Sequence, residues 1–282
     1  MHSTGFITVP LLLSSGAQAW GTLGHATVAQ IADNYLTPAA KTYVQGILGS
    51  GVTMASVASW ADNYRYTTAG KFSAPYHFID AEDSPPSSCS VSLDRDCGSG
   101  GCVVSAIANY TQRVQDGRLS EENTKEALEF LIHFFGDITQ PLHDEAEEVG
   151  GNDIKVTWDG ADTNLHACWD TQMVEKAAGG GNSTATLDSF SQTLIGRIDS
   201  GSYSSEKASW ISCVNIETAS DCAVGWAQDA NAYNCQYVLK TDESGQELDG
   251  DYYTGAEPII ELQLAKGGYR LGAYLNNLAA AA

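Results

Sequence analysis

The pattern His-x-x-x-Asp occurs twice in this chain, as His133-Phe-Phe-Gly-Asp137 and as His166-Ala-Cys-Trp-Asp170. On a helix, residues four apart lie on one face one turn apart, so each pair can offer an imidazole and a carboxylate to a single ion. The other histidines after residue 19 are His25, His77 and His143. Asp62 precedes His77 at the end of a helical stretch, and His143 follows a break at Pro141. A single pair of this kind is as readily a surface ion pair or a core histidine. The joint occurrence requires a fold whose elements return to one centre. Imidazole and carboxylate ligands without thiolate suit zinc, and several such clusters suit a multinuclear catalytic site with open positions.

The dominant period is helical, and the expected architecture is all-α: an irregular bundle with at most a short β-hairpin. Thr37-Pro38 reads as an N-cap followed by proline at the first helical position, opening a helix towards Leu48. Ser120 caps the next strong helix, in which Leu128, Leu131, Phe135 and Ile138 form one apolar stripe and Pro141 marks the end. His133 and Asp137 lie on a different, inward-facing arc. Further helices are expected at 21–35, 54–65, 103–116, 163–178, 186–199, 205–238 with a break, and 256–280. The one strand signal runs from Asp153 to Trp158 and ends in the turn dipeptide Asp159-Gly160. Residues 81–100 read as a disulfide-tied loop and 241–255 as a polar surface loop.

Residues 1–19 carry an apolar run, Phe6 to Leu13, followed by small residues ending Ala17-Gln-Ala19, the pattern of a signal peptide cleaved before Trp20. Residues 20–282 then form one soluble domain, because no later stretch has the ~18 apolar residues of a spanning helix. Seven cysteines fit the oxidising compartment that secretion implies. Cys97 and Cys102 flank a Gly-rich turn and are the easiest pair to close, and Cys168 is the candidate for the odd thiol. Asn109-Tyr-Thr and Asn182-Ser-Thr are acceptable glycosylation sequons. The net charge of -21 excludes binding of nucleic acid through a general basic surface. Bound divalent cations would supply the local positive site that a phosphate partner needs.

The segments Trp20-Gly-Thr-Leu-Gly-His25, Trp60-Ala-Asp62-Asn-Tyr-Arg65, Tyr76-His77-Phe78-Ile79-Asp80, His133 to His143, Asn164 to Asp170, and Ala265-Lys-Gly-Gly-Tyr-Arg-Leu resemble, in order, the secreted fungal and plant zinc nucleases of the S1/P1 type. The resemblance covers nearly all of 20–282. It implies three Zn2+ ions: one on Asp62, His77, His133 and Asp137, a second on His143, His166 and Asp170, and a third on His25, the bridging Asp137, and the amine and carbonyl of Trp20. It further implies that Asp80 orients or activates water, that Arg65 clamps transition-state charge, that Asn164 touches phosphate, and that Phe78 stacks a nucleobase. Cys89 and Cys235 would be disulfide-bonded. The implied activity is endonucleolytic hydrolysis of single-stranded DNA and RNA to 5′-phosphate products by a secreted monomer, with 3′-nucleotides as further substrates. The zinc-dependent phospholipases C share the fold, but there the last ligand is a glutamate where this chain has Asp170. A non-catalytic secreted zinc-binding protein is the remaining alternative, and no ligand position is lost that would favour it.

Overall fold

The computed structural model describes residues 20–282, so the expected signal segment lies outside the described residues. The architecture is an irregular helical bundle with a two-stranded hairpin and disulfides. At its centre is the helix Glu121–Asp137. The Ser120 hydroxyl accepts the Asn123 N–H at 3.2 Å, and Glu121 and Glu122 occupy the first turn, where the helix dipole favours negative charge. From Ala127 to Asp137 every residue is buried. The expected apolar stripe is therefore only part of the contact surface: this half of the helix is enclosed on all sides, which carries His133 and Asp137 into the interior.

Most expected helices are present with shifted ends, and the shifts have local causes. The 54–65 stretch divides into Met54–Val57 and Trp60–Tyr64, the first capped reciprocally by Thr53 and Ser56. Asp159 and Gly160 both take positive φ, as a two-residue hairpin turn requires, and pair Lys155–Trp158 with a second strand, Ala161–Asn164. That second strand takes the first residues of the helix expected at 163–178, which starts instead at Leu165 and contains a π turn, Cys168–Gln172. The expected break within 205–238 falls between Lys207–Trp210 and Ala219–Tyr233, and the Cys213–Cys222 disulfide spans it.

The last helix, Asp251–Ala281, begins inside the segment expected as loop and contains Pro258. Its buried face, including Ile260, Leu264, Leu271, Tyr274 and Leu275, outweighs the one backbone hydrogen bond that proline removes. It packs against the N-terminal helix Thr22–Asn34, which carries His25. The approach is close because Gly268 faces Ile31 and Val28: a Cβ there would sit 2.5 Å from Ile31 Cβ and 2.9 Å from Val28 O. One turn away, Lys266 and Arg270 are buried and bind Asp229 at 2.7–2.8 Å, tying this helix to Ala219–Tyr233. Gly268→Ala should therefore lower stability by about 1–3 kcal/mol through overpacking and reduce Tm by several degrees. A thermal melt superimposable on the wild type would refute this account of the helix contact.

Candidate metal centre

Five elements deliver the ligand-type side chains. His25 comes from Thr22–Asn34, Asp62 from Trp60–Tyr64, His77 from the end of a 3-10 helix, Lys71–His77, and His133 with Asp137 from the last turns of the central helix. The sharp turn Pro141–Asp144 supplies His143, and the helix with the π turn supplies His166 and Asp170. All eight side chains are buried. They form three overlapping or adjacent groups: His25 with His133 and Asp137, Asp62 with His77 and His133, and His143 with His166 and Asp170.

Asp137 divides its oxygens. Oδ1 lies 3.2 Å from His25 Nε2, while Oδ2 lies 3.1 Å from His77 Nδ1 and 3.2 Å from His133 Nε2. This is how a carboxylate shared between two ions is disposed. Asp62 Oδ1 faces the same two nitrogens at 3.8 and 3.7 Å. In the third group Asp170 Oδ2 lies 3.1 Å from His166 Nε2, and Oδ1 lies 3.8 Å from His143 Nε2.

Hydrogen bonds on the far side of the rings fix which nitrogen faces inward. His133, His143 and His166 direct Nδ1 at the carbonyls of Ala58, His77 and Gly150, at 2.7, 2.7 and 2.6 Å. Each Nδ1 must carry the proton, leaving an Nε2 lone pair aimed at the centre. The Nε2 atoms of His143 and His166 then face each other at 3.1 Å, and His77 Nδ1 faces His133 Nε2 at 2.9 Å. Two acceptors at that distance repel unless a cation lies between or beside them. Both oxygens of Asp62, and one each of Asp137 and Asp170, are buried without a hydrogen-bond partner. Two ligands about 2.0–2.1 Å from a tetrahedral ion are about 3.4 Å apart, which the spacings here bracket. The donor set fits zinc.

The electrostatics agree. Burial, reinforced by Asp137, raises the Asp62 carboxyl to about 6 although His133 and Arg65 oppose it. Burial likewise raises Asp137 and Asp170. It lowers His25, His77, His133 and His143, whereas at His166 the Asp170 carboxylate outweighs burial and the imidazole is raised. Without an ion, the interior drives ligands towards their neutral forms. Dications reverse this by displacing protons, so metal affinity should fall as pH falls.

A cleft of about 110 Å³ opens beside this centre and is lined by Arg65, Phe78, Asp80, His143 and His166. Arg65 places Nη2 3.5 Å from Asp62 Oδ1. Phe78 is half-buried in extended backbone pinned by Val103 N–H to Phe78 O, and Ile79 N–H donates to His143 O. Asp80 is exposed, and partial desolvation together with Glu82 and Asp96 raises its carboxyl. Asn164 is not among the lining residues. It caps the following helix, its Oδ1 accepting Ala167 N–H at 2.8 Å, so only its amide nitrogen is left to contact a phosphate. Sequence reasoning missed Glu145, Val149 and Asn152, which do line the cleft. The available signal was the turn Val149-Gly150-Gly151-Asn152. There Gly150, at φ +59°, passes so close to Leu142 that a Cβ would sit 2.6 Å from its carbonyl oxygen.

Trp20 is fully buried, its indole N–H donating to Thr139 Oγ1, and the next residue donates its backbone N–H to Asp170 O at 2.6 Å. The N-terminal segment is thus held against the metal centre. Disulfides join Cys89 to Cys235, Cys97 to Cys102 and Cys213 to Cys222. Cys168 is free and buried, its thiol pushed up to about 12 by burial with Glu247 and Asp170 adding, which makes it a poor ligand. Asn109 and Asn182 are both exposed.

The profile described as S1/P1 Nuclease matches residues 20–280. Nuclease P1 of Penicillium citrinum is 52% identical over 265 residues, covering 92% of this chain and 97% of that protein. Nuclease S1 of Aspergillus oryzae is 47% identical, with 95% of each chain covered. Endonuclease 3 of Arabidopsis thaliana is 32% identical, covering 96% of this chain and 93% of its own.

The tightest packing at the centre is at Gly136, where a Cβ would lie 2.5 Å from His25 Nδ1. Gly136→Ala should displace His25 from Asp137 and reduce bound metal by about one equivalent of a multinuclear set. Elemental analysis after dialysis against zinc measures this, and an undiminished metal content would exclude the site formed by His25.

Proposed function

The chain belongs to the S1/P1 nuclease family, and on that premise we propose that it is a secreted, monomeric, zinc-dependent endonuclease. Its substrates are single-stranded DNA and RNA, cleaved to 5′-phosphate products, and 3′-nucleotides. The observation that carries this reading is the meeting of the three ligand groups beside a cleft lined by Phe78 and Arg65. Asp62, His77, His133 and Asp137 would hold one zinc, and His143, His166 and Asp170 a second. His25 and Asp137 would hold the third, with the amine and carbonyl of Trp20 once residues 1–19 are removed. That amine, with an ordinary pKa near about 8, loses its proton readily to a metal.

When bound, zinc supplies Lewis-acid polarisation of the phosphodiester and brings the ionisation of nearby water towards neutral pH. The remaining chemistry belongs to the side chains. Water oxygen adds to phosphorus, the bond from phosphorus to the 3′ oxygen breaks, and the departing 3′ oxygen takes up a proton, leaving a 5′-phosphate on the other fragment. Asp80, exposed in the cleft with a raised carboxyl, is suited to orient the water and accept its proton. Arg65 supplies positive charge where the equatorial oxygens gain negative charge. Phe78 offers a face to an unpaired base, and stacking is tolerant of base identity. Asn164 can donate its amide nitrogen to a neighbouring phosphate. Three dications against three aspartates leave the pocket positive within a chain of charge -21, so a phosphodiester is drawn to the site itself.

The mature protein should contain about three zinc ions per chain and degrade single-stranded DNA and RNA, with chelation abolishing hydrolysis. Full metal content without hydrolysis would rule out the assignment. Arg65→Ala should keep its zinc and lose about 100-fold in kcat, as removal of a group stabilising transition-state charge does. A variant with one extra residue before Trp20 should bind the third zinc more weakly and turn over more slowly. Equal metal content and rate in that variant would refute the role of the terminal amine.

A further inference from the structure

From Asn63 to Ile79 the chain contains no acidic residue, although its net charge is -21, and the same stretch carries Arg65 and Lys71. Two of the few exposed large hydrophobic side chains among the described residues lie here: Tyr66 is 60% exposed and Phe72 49%. The segment is held in a defined shape. Thr67 Oγ1 donates to Tyr64 O at 2.8 Å and accepts the Gly70 N–H at 2.9 Å, and Lys71 N–H returns to Thr67 O at 3.1 Å. Gly70 lies so close to Tyr64 that any Cβ would overlap its carbonyl. Beneath the surface, Tyr64 stacks on Trp60 at 4.4 Å and meets the edge of Phe72 at 6.3 Å. A carboxylate from the central helix, Glu126, reaches this segment only to accept the Tyr64 hydroxyl. Tyr66 is therefore an aromatic face held towards solvent by a rigid, cationic loop.

Its position relates it to the reaction. The Arg65 guanidinium lies 5.2 Å from the centre of the Tyr66 ring, while its Nη2 lies 3.5 Å from Asp62. One side chain thus joins the metal centre to the exposed ring. Phe78 lines the cleft and Tyr66 is not among the lining residues, so the two rings can take different bases of one strand. We propose that Tyr66 forms a second base-stacking subsite, which receives a nucleotide flanking the scissile phosphate and makes the enzyme prefer polymers over mononucleotides. The proposal rests on the nuclease reading above. A nucleic-acid strand fits the loop by chemistry: every base has a π face, Arg65 and Lys71 attract phosphates, and this stretch offers no carboxylate to repel them.

The test compares kcat/KM on an oligothymidylate with kcat/KM on thymidine 3′-phosphate, which carries one base, using the same zinc-loaded preparation. Because a ratio is read, losses of folded protein or metal cancel. In Tyr66→Ala the ratio should fall about 5- to 100-fold, through KM for the oligonucleotide, and Tyr66→Trp should keep it within about twofold of the wild type. An unchanged ratio in Tyr66→Ala, or a Tyr66→Trp variant that behaves like alanine, overturns the subsite while leaving the nuclease reading intact. A wild-type protein that hydrolyses neither substrate overturns both.

Discussion

The structure depends on an electrostatic conflict at its centre. Imidazole lone pairs face one another at about 3 Å, and aspartate oxygens face them without hydrogen-bond partners, all in an interior closed to solvent. Such groups cost several kcal/mol each to bury unpaired. The arrangement is stable only around cations, and the rest of the fold serves to hold it. Eleven consecutive buried residues carry His133 and Asp137 inward. Three backbone carbonyls fix the proton on the outer nitrogen of three rings. Gly136 and Gly268 remove the side chains that would keep His25, and the helix bearing it, at a distance.

The metal ligands were legible in the sequence because their spacing is helical and their chemistry is uncommon. His133 and Asp137, four residues apart on a regular helix, did what the period requires. His166 and Asp170 carried the same signal, but the backbone between them is a π turn, which no side-chain pattern announced. The caps at Thr37 and Ser120 and the turn at Asp159-Gly160 were readable because each rests on local hydrogen bonding or φ preference. What escaped was decided by tertiary contacts. The final helix extends through Pro258 because its buried face fits its neighbours. The cleft is walled by Val149 and Asn152 because a glycine pair turns sharply against Leu142. Asn164 illustrates the limit: capping and ligand contact draw on the same residue type, and sequence alone leaves that choice open.

An acidic protein acting on a polyanion has to separate long-range from short-range electrostatics. At physiological ionic strength the field of dispersed surface charge decays over about 8 Å, whereas buried ions and the groups that touch substrate act with little screening. Repulsion from the surface therefore costs association rate more than it costs binding at contact. The carboxylate-free stretch from Asn63 to Ile79 lessens even that cost along the approach to Arg65.

The same geometry bears on strandedness. Catalysis requires phosphorus at the buried metal centre while a base occupies the cleft lined by Phe78 and Val149, of about 110 Å³. A base within a duplex is already stacked and paired, and extracting it costs a few kcal/mol before any contact is gained. An unpaired base bears little of this cost and gains about 1–3 kcal/mol on an aromatic face. Selection against duplex then needs no residue that reads a double helix. It arises from the depth of the metal centre, which the chain sets by burying its ligands, together with a cleft sized for a base already free of its partner.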